Sequence, residues 1–171
     1  MGKPPMYVYL PADAELKNAS TLISQAELYS IFAECRAKSK LLLVDTCQTV
    51  LKANYTWPQL PALPSDLAIY FACSPGEACF ELAKLKHGVF SHQIITGLDG
   101  AADENRDGIV TLDELVQFTN RGVSKLIDSE LPGEVQTPTL IGKVSGSEPL
   151  VETRKDERDP EEATNGNNFA N

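Results

Sequence analysis

Residues 103–114 have the spacing of a calcium-binding loop of the EF-hand type. The segment reads DENRDGIVTLDE and matches the pattern D-x-[DN]-x-[DN]-G-x5-E at every specified position. Ca²⁺ is a hard ion that takes roughly six to eight oxygen ligands, and a glycine at the sixth position lets the chain turn around it. The expected ligands are the side chains of Asp103, Asn105, Asp107, Thr111 (directly or through water) and Glu114 (both oxygens), and the backbone carbonyl of Ile109.

The alternative interpretation is a polar turn that binds no ion. The match of all the specified positions in one register favours calcium. EF-hand loops usually work in pairs, and this sequence shows a single one. Gly97 and Gly100 also interrupt the segment that should enter the loop as a helix. A lone loop of this kind predicts a structural clip more than a signalling switch.

Cys47 is a second candidate for chemistry, because it follows an apolar run at residues 41–44 and the acidic Asp45. In open α/β sheets, sites collect outside the carboxyl ends of the strands, so a cysteine there is placed to react. A structural cysteine is the alternative. Cys35 and Cys73 fall in apolar patterns and are expected to be buried free thiols. Without a C-x-x-C pair, and with only two histidines, a zinc site is not expected.

The composition limits the kinds of partner. A net charge of −9 argues against non-specific nucleic-acid binding, because phosphates would be repelled. No apolar stretch approaches the roughly 18 residues that a membrane span needs. The first residues lack the apolar core of a secretory signal, and a cytoplasmic location is the expectation.

Apolar runs and helical periodicities alternate along the chain and predict the elements that would position these residues. Strands are predicted at residues 6–10, 40–45, 67–73 and 78–82, and helices at residues 25–37, 89–98 and 112–127. Ser24 and Glu27 form a capping-box pattern before the first helix. The runs at 40–45 and 67–73 suit strands buried on both faces. The alternation predicts an α/β fold with a mostly parallel sheet. Residues 144–171 are polar and charged and are predicted to be a disordered acidic tail.

Several segments in order resemble the caspase-like cysteine peptidases, including metacaspases and their bacterial relatives. These are YVYLPADA, then KLLLVDTC, then LAIYFACSPGEACFELAKLKHGVFSHQIITGLDGAAD, and finally the closing segment Gln136-Thr137-Pro138. Bacterial members often carry a D-x-N-x-D-G insertion where this chain has its loop. The resemblance covers roughly residues 6–142. It implies a three-layer caspase-like fold in which residues 1–143 form a partial domain that lacks the N-terminal strands.

By this resemblance, Cys47 occupies the position of the nucleophile, and Asp45 matches the carboxylate that receives a basic substrate side chain in metacaspases. The family motif D-x-C-H-S-G is replaced here by DTCQTV. The family's catalytic histidine lies upstream of the cysteine, whereas His87 and His92 match later positions that do not serve as the base.

Three functions therefore stay open at this point. In the first interpretation, the chain is a calcium-binding cysteine endopeptidase that another chain completes by supplying the histidine. Its partners are then peptide or protein substrates. In the second interpretation, the chain is a calcium-binding pseudopeptidase or gene fragment without turnover. In the third interpretation it is an interaction module that calcium stiffens.

Overall fold

A computed structural model describes residues 8–15, 17–46, 62–144 and 147–153 of the chain. The helices are α1 (Gln25–Glu34), α2 (Val89–Thr96) and α3 (Leu112–Glu130), with a 3-10 turn at Ala19–Thr21 and a π-helical turn at Gly97–Ala101. The strands are β1 (Val8–Tyr9), β2 (Ile23–Ser24), β3 (Lys40–Val44), β4 (Leu67–Phe71), β5 (Glu81–Leu82), β6 (His87–Gly88), β7 (Ile109–Thr111), β8 (Thr139–Gly142) and β9 (Pro149–Glu152).

The largest sheet in the described part of the chain has the strand order β3-β4-β8. β3 runs parallel to β4, with Leu42 opposite Ile69, whereas β8 runs antiparallel to β4, with Leu140 opposite Tyr70. The described sheet is therefore mixed, and the predicted mostly parallel sheet is not confirmed. An antiparallel edge strand on an otherwise parallel sheet is a common arrangement in α/β folds.

Strand β4 is the centre of the sheet, and all five of its residues are buried, as predicted. Successive side chains of a strand point to opposite faces. Ile69 and Phe71 pack with Tyr29 of α1 on one face, and Tyr70 packs with Phe90 of α2 on the other. Helices thus cover both faces, which gives the three layers that the resemblance implies.

The prediction that β3 is buried on both faces is wrong. Val44 is buried against the α1 side, but Leu43 is 39% exposed. Leu43 belongs to none of the described hydrophobic clusters, and β3 has a described pairing partner only on the β4 side. Its edge position in the described sheet explains why a continuous apolar run does not lead to full burial here.

Local sequence signals fix where the helices begin more accurately than where they end. Ser24 and Glu27 form the predicted capping box, since each side chain accepts the other's backbone N–H. Helix α1 ends at Glu34, before the predicted residue 37, so Cys35 is exposed and not on a buried face. Helix α2 gives way to the π-helical turn, in which Gly100 has φ +112°. Few residues other than glycine adopt that φ.

Residues 149–152, which were expected to belong to a disordered tail, instead form strand β9. This strand pairs antiparallel with β7, so Val151 lies opposite Val110. Leu150 and Val151 pack against the hydrophobic cluster that contains Phe90. The apolar pair and the free edge of β7 together offset the entropy cost of ordering the segment. The tail residues 154–171 lie outside the described part of the chain.

Candidate functional site

The loop at residues 103–114 has the backbone turns that its motif predicts. Gly108 has φ +88°, and Arg106 before it has φ +60°. The N–H of Asp107 donates to Asp103 Oδ1 at 3.2 Å and to Asn105 Oδ1 at 2.8 Å. Gly108 N–H donates to Asp103 Oδ2 at 3.0 Å, and Ile109 N–H donates to Asp107 Oδ1 at 2.8 Å. These bonds draw three predicted ligand side chains toward the loop backbone.

Glu114, the last predicted ligand, lies in the first turn of α3. Its Oε2 accepts the N–H of Thr111 at 3.0 Å and the Thr111 hydroxyl at 2.8 Å. The backbone N–H of Thr111, followed by its hydroxyl, lowers the pKa of Glu114, and the backbone N–H groups of Asn105 and Glu104 act in the same direction. The Glu114 carboxylate therefore caps α3 through its hydrogen bonds with Thr111.

Whether these residues fit a calcium ion depends on how far their oxygens converge. Within residues 8–15, 17–46, 62–144 and 147–153, no group of three or more His, Cys, Asp or Glu side chains is placed to hold a metal. Three of the predicted ligands are of other types, namely Asn105, Ile109 and Thr111. The loop conformation fits the motif, but Glu114 is turned onto Thr111. Calcium binding stays a prediction.

The segment that contains β9 contributes contacts to the loop that sequence reasoning missed. Thr153 N–H donates to the carbonyl of Gly108 at 2.8 Å, and the Thr153 hydroxyl lies 3.4 Å from Asp103 Oδ2. The only local signal for this arrangement was the apolar pair Leu150 and Val151 within a polar segment.

Asp45, the predicted substrate-binding residue, directly follows β3 and lies beside the start of α2. The hydroxyl of Ser91 donates to Asp45 Oδ2 at 2.5 Å. A Cβ atom at Gly88 would lie 2.7 Å from the same oxygen, so only glycine allows this approach. Asp45 and Ser91 are far apart in sequence, and nothing in the sequence pointed to Ser91 as its partner.

The two histidines lie close to this group. The ring centroids of His87 and His92 are 6.1 Å apart, and the rings are nearly parallel. His87 precedes Gly88, the glycine against which Asp45 packs. Cys47, the predicted nucleophile, lies outside the described residues, which on that side end at Thr46.

Cys73 and Cys79 form a disulfide, so the prediction of a buried free thiol at Cys73 is wrong. A turn at residues 74–77 brings their Cα atoms within 5.7 Å, a separation that a disulfide spans. Their sulfur atoms lie 3.7 and 3.1 Å from the carbonyl oxygen of Thr46. The cytoplasmic location stays a prediction.

Gln136 ties this disulfide-bridged segment to the sheet. Its side-chain amide donates to the carbonyl of Ala72 at 3.0 Å, and its carbonyl oxygen accepts the N–H of Phe80 at 3.0 Å. Glu77 adds a second tie, because its Oε2 accepts the N–H of Thr137 at 2.7 Å. The segment Gln136-Thr137-Pro138 thus fixes the loop that lies against Thr46.

Comparisons with known proteins show the fold. No protein-family model matches this chain, and no curated protein matches it in sequence. Among solved structures, the chain is similar to caspase-1 from Spodoptera frugiperda, with a TM-score of 0.55 and 20% sequence identity. The match covers 80% of this chain and 57% of the caspase-1 chain. The chain therefore has a caspase-like α/β fold and spans little more than half the length of the caspase-1 chain.

None of the helices within the described ranges is both long and apolar enough to cross a membrane.

Proposed function

We propose that this chain is the calcium-binding, C-terminal portion of a caspase-like cysteine endopeptidase domain, with Cys47 as nucleophile. The observation that carries the proposal is the caspase-like fold, in which Asp45 directly follows a strand of the central sheet. Cys47 comes two residues later in the sequence. Sites in open α/β sheets collect at such strand ends. The Cys47 thiolate would attack the carbonyl carbon of a peptide bond. The amine would leave with a proton, and water would hydrolyse the thioester.

Asp45 is proposed to receive a basic side chain of the substrate. Its carboxylate is exposed and is fixed by the Ser91 hydroxyl, so a negative charge is held in place without a cation against it in the described residues. A guanidinium or ammonium group next to the scissile bond would complement that charge. Cleavage after arginine or lysine is the expected specificity.

The general base is the missing part of this reaction. Both histidines of the chain follow Cys47 in sequence, and the resemblance assigns the base to a position before it. Without an adjacent base, a thiol stays mostly protonated near its free pKa of about 8.5. We therefore propose that turnover requires a histidine from a complementing chain, and that the isolated chain is nearly inactive.

Chemical rescue tests this proposal directly. Fluorogenic peptides ending in arginine or lysine are assayed with the chain alone and with increasing imidazole, which replaces a missing histidine base. Turnover should rise with imidazole in the parent chain and be absent in Cys47→Ala. Asp45→Asn should lower turnover of the basic peptides more than turnover of a matched neutral peptide. Turnover that persists in Cys47→Ala, or that never rises above the buffer rate, would refute the peptidase assignment.

The second candidate is a calcium-binding module without turnover, which the loop conformation and the missing base favour. When bound, calcium would be held by oxygens of Asp103, Asn105, Asp107, Ile109, Thr111 and Glu114, and it would supply a fixed positive charge that neutralises the loop. The turn at Gly108 supports this assignment. Isothermal titration with Ca²⁺ should give heat in the parent chain and much less in Glu114→Gln. Equal heats in the two proteins would contradict the ligand assignment.

A further inference from the structure

The loop is paired, within this chain, with the segment that contains β9. Strand β7 lies inside the loop, and it is held by β9, with Ile109 opposite Glu152 and Val110 opposite Val151. EF-hand loops usually work in pairs, and a single one leaves the edge of its short strand without a partner. Here residues 147–153 occupy that edge.

The contacts of this segment span the loop from its first predicted ligand to the start of α3. Thr153 contacts the ligand Asp103 through its hydroxyl at 3.4 Å and the hinge Gly108 through its N–H at 2.8 Å. At the other end, the N–H of Leu112 donates to the carbonyl of Glu148 at 3.1 Å. The segment therefore contacts the loop at Asp103 and Gly108 and also contacts Leu112, the first residue of α3.

The core fixes the segment from the other side. Val110 is fully buried, and Leu150 and Val151 pack against the same hydrophobic cluster. Hydrogen bonds on one side and apolar burial on the other make the position of the segment and the conformation of the loop depend on each other. Two events that stabilise one conformation are coupled, and each strengthens the other by the same factor.

We infer that residues 147–153 are an integral part of the calcium site, as its built-in pairing strand, and that Ca²⁺ binding and docking of this segment are coupled. The inference rests on the proposed calcium binding. Docking holds Asp103 and Gly108 in the conformation that binds the ion, and the bound ion holds β7 in place for β9. Coupling of this kind typically changes affinity by roughly five- to 150-fold.

The full-length chain tests the inference by hydrogen exchange and by titration. Saturating Ca²⁺ should slow amide exchange in residues 147–153 by at least about fivefold. The Glu114→Gln variant, measured at the same Ca²⁺ concentration, should show no such slowing. Thr153→Pro, which removes the N–H that bonds to Gly108, should weaken Ca²⁺ binding by at least about fivefold. Glu134→Gln, at an exposed residue outside the loop and outside residues 147–153, is the control and should change binding by no more than about twofold.

The outcomes separate the two proposals. Heat of Ca²⁺ binding in the parent chain, with unchanged exchange in residues 147–153, overturns the coupling and leaves calcium binding intact. Absence of heat in the parent chain overturns both. If Thr153→Pro does not fold, Thr153→Val removes only the hydroxyl contact with Asp103. The exchange measurement on the parent chain then decides the coupling by itself.

Discussion

Replacement of Gly142 by alanine tests the antiparallel pairing that makes the sheet mixed. Gly142 is the last residue of β8 and lies opposite Ala68 of β4. Its φ is +89°, and a Cβ atom there would lie only 2.2 Å from the carbonyl oxygen of Leu67. A backbone oxygen cannot rotate away as the end of a side chain can, so Gly142→Ala must move the strands apart or strain them.

The magnitude has two parts. Holding a residue other than glycine in an unfavourable backbone region costs about 1–3 kcal/mol. Forcing an extra carbon into occupied space costs about 1–3 kcal/mol more. Gly142→Ala should therefore lower the free energy of unfolding by roughly 2–6 kcal/mol, a large part of the roughly 5–15 kcal/mol that stabilises a typical domain.

Gly133 provides a matched control for this measurement. Its φ is +95°, but a Cβ atom there would meet nothing within 4 Å. Gly133→Ala should cost only the backbone part, about 1–3 kcal/mol. Urea denaturation of the parent chain and both variants, followed by circular dichroism, gives the difference. Equal losses in the two variants would mean that Gly142 does not lie against Leu67, and the β4–β8 register described above would be wrong.

Three further predictions concern single side chains. Gln136→Ala should cost roughly 2–6 kcal/mol in urea denaturation, because two backbone groups lose their partner at about 1–3 kcal/mol each; a loss below about 1 kcal/mol would contradict the bridge. The hydrogen bond from Lys40 lowers the pKa of Asp66, so its stabilising contribution is full above the unfolded pKa of about 3.9 and is lost as pH falls through the lower folded value. Asp66→Asn should therefore flatten the acid side of the stability curve between about pH 5 and pH 2, and an unchanged curve would show that the pair contributes nothing. Peptide mapping without reductant should find the bridge between residues 73 and 79 intact and Cys35 alkylated, whereas alkylation of the bridged pair would contradict the disulfide.

Features set by residues close in sequence were predictable. The capping box of Ser24 and Glu27 needs only three residues of separation, and it forms as expected. The helix that follows Thr111 was also expected from its apolar spacing, and the structure has it at Leu112–Glu130. The five apolar residues of β4 predicted a fully buried strand because no polar residue interrupts them. In each case the signal lies within one helix, one strand or one cap.

Features set by distant pairings were not predictable from one sequence. Strand β9 forms because β7 offers it an edge, and within its own sequence only a short apolar pair in a polar segment signals it. The direction of β8 depends on how the chain leaves α3, which periodicity does not encode. The Ser91 hydroxyl reaches Asp45 only because the fold places the start of α2 beside the end of β3. A pattern of residue types along the chain does not show which distant residues come into contact in the fold.

The position of β4 between β3 and β8 has a consequence for the order of folding. β4 pairs with β3, which precedes it in the chain, but its other edge must wait for residues 139–142, which are synthesised after α2 and α3. Pairings between residues so far apart in sequence form slowly, because the chain loses the entropy of loop closure before the new contacts compensate for that loss. Until then the fully buried, apolar strand β4 has an open edge, and nascent or truncated chains that stop before residue 139 should aggregate.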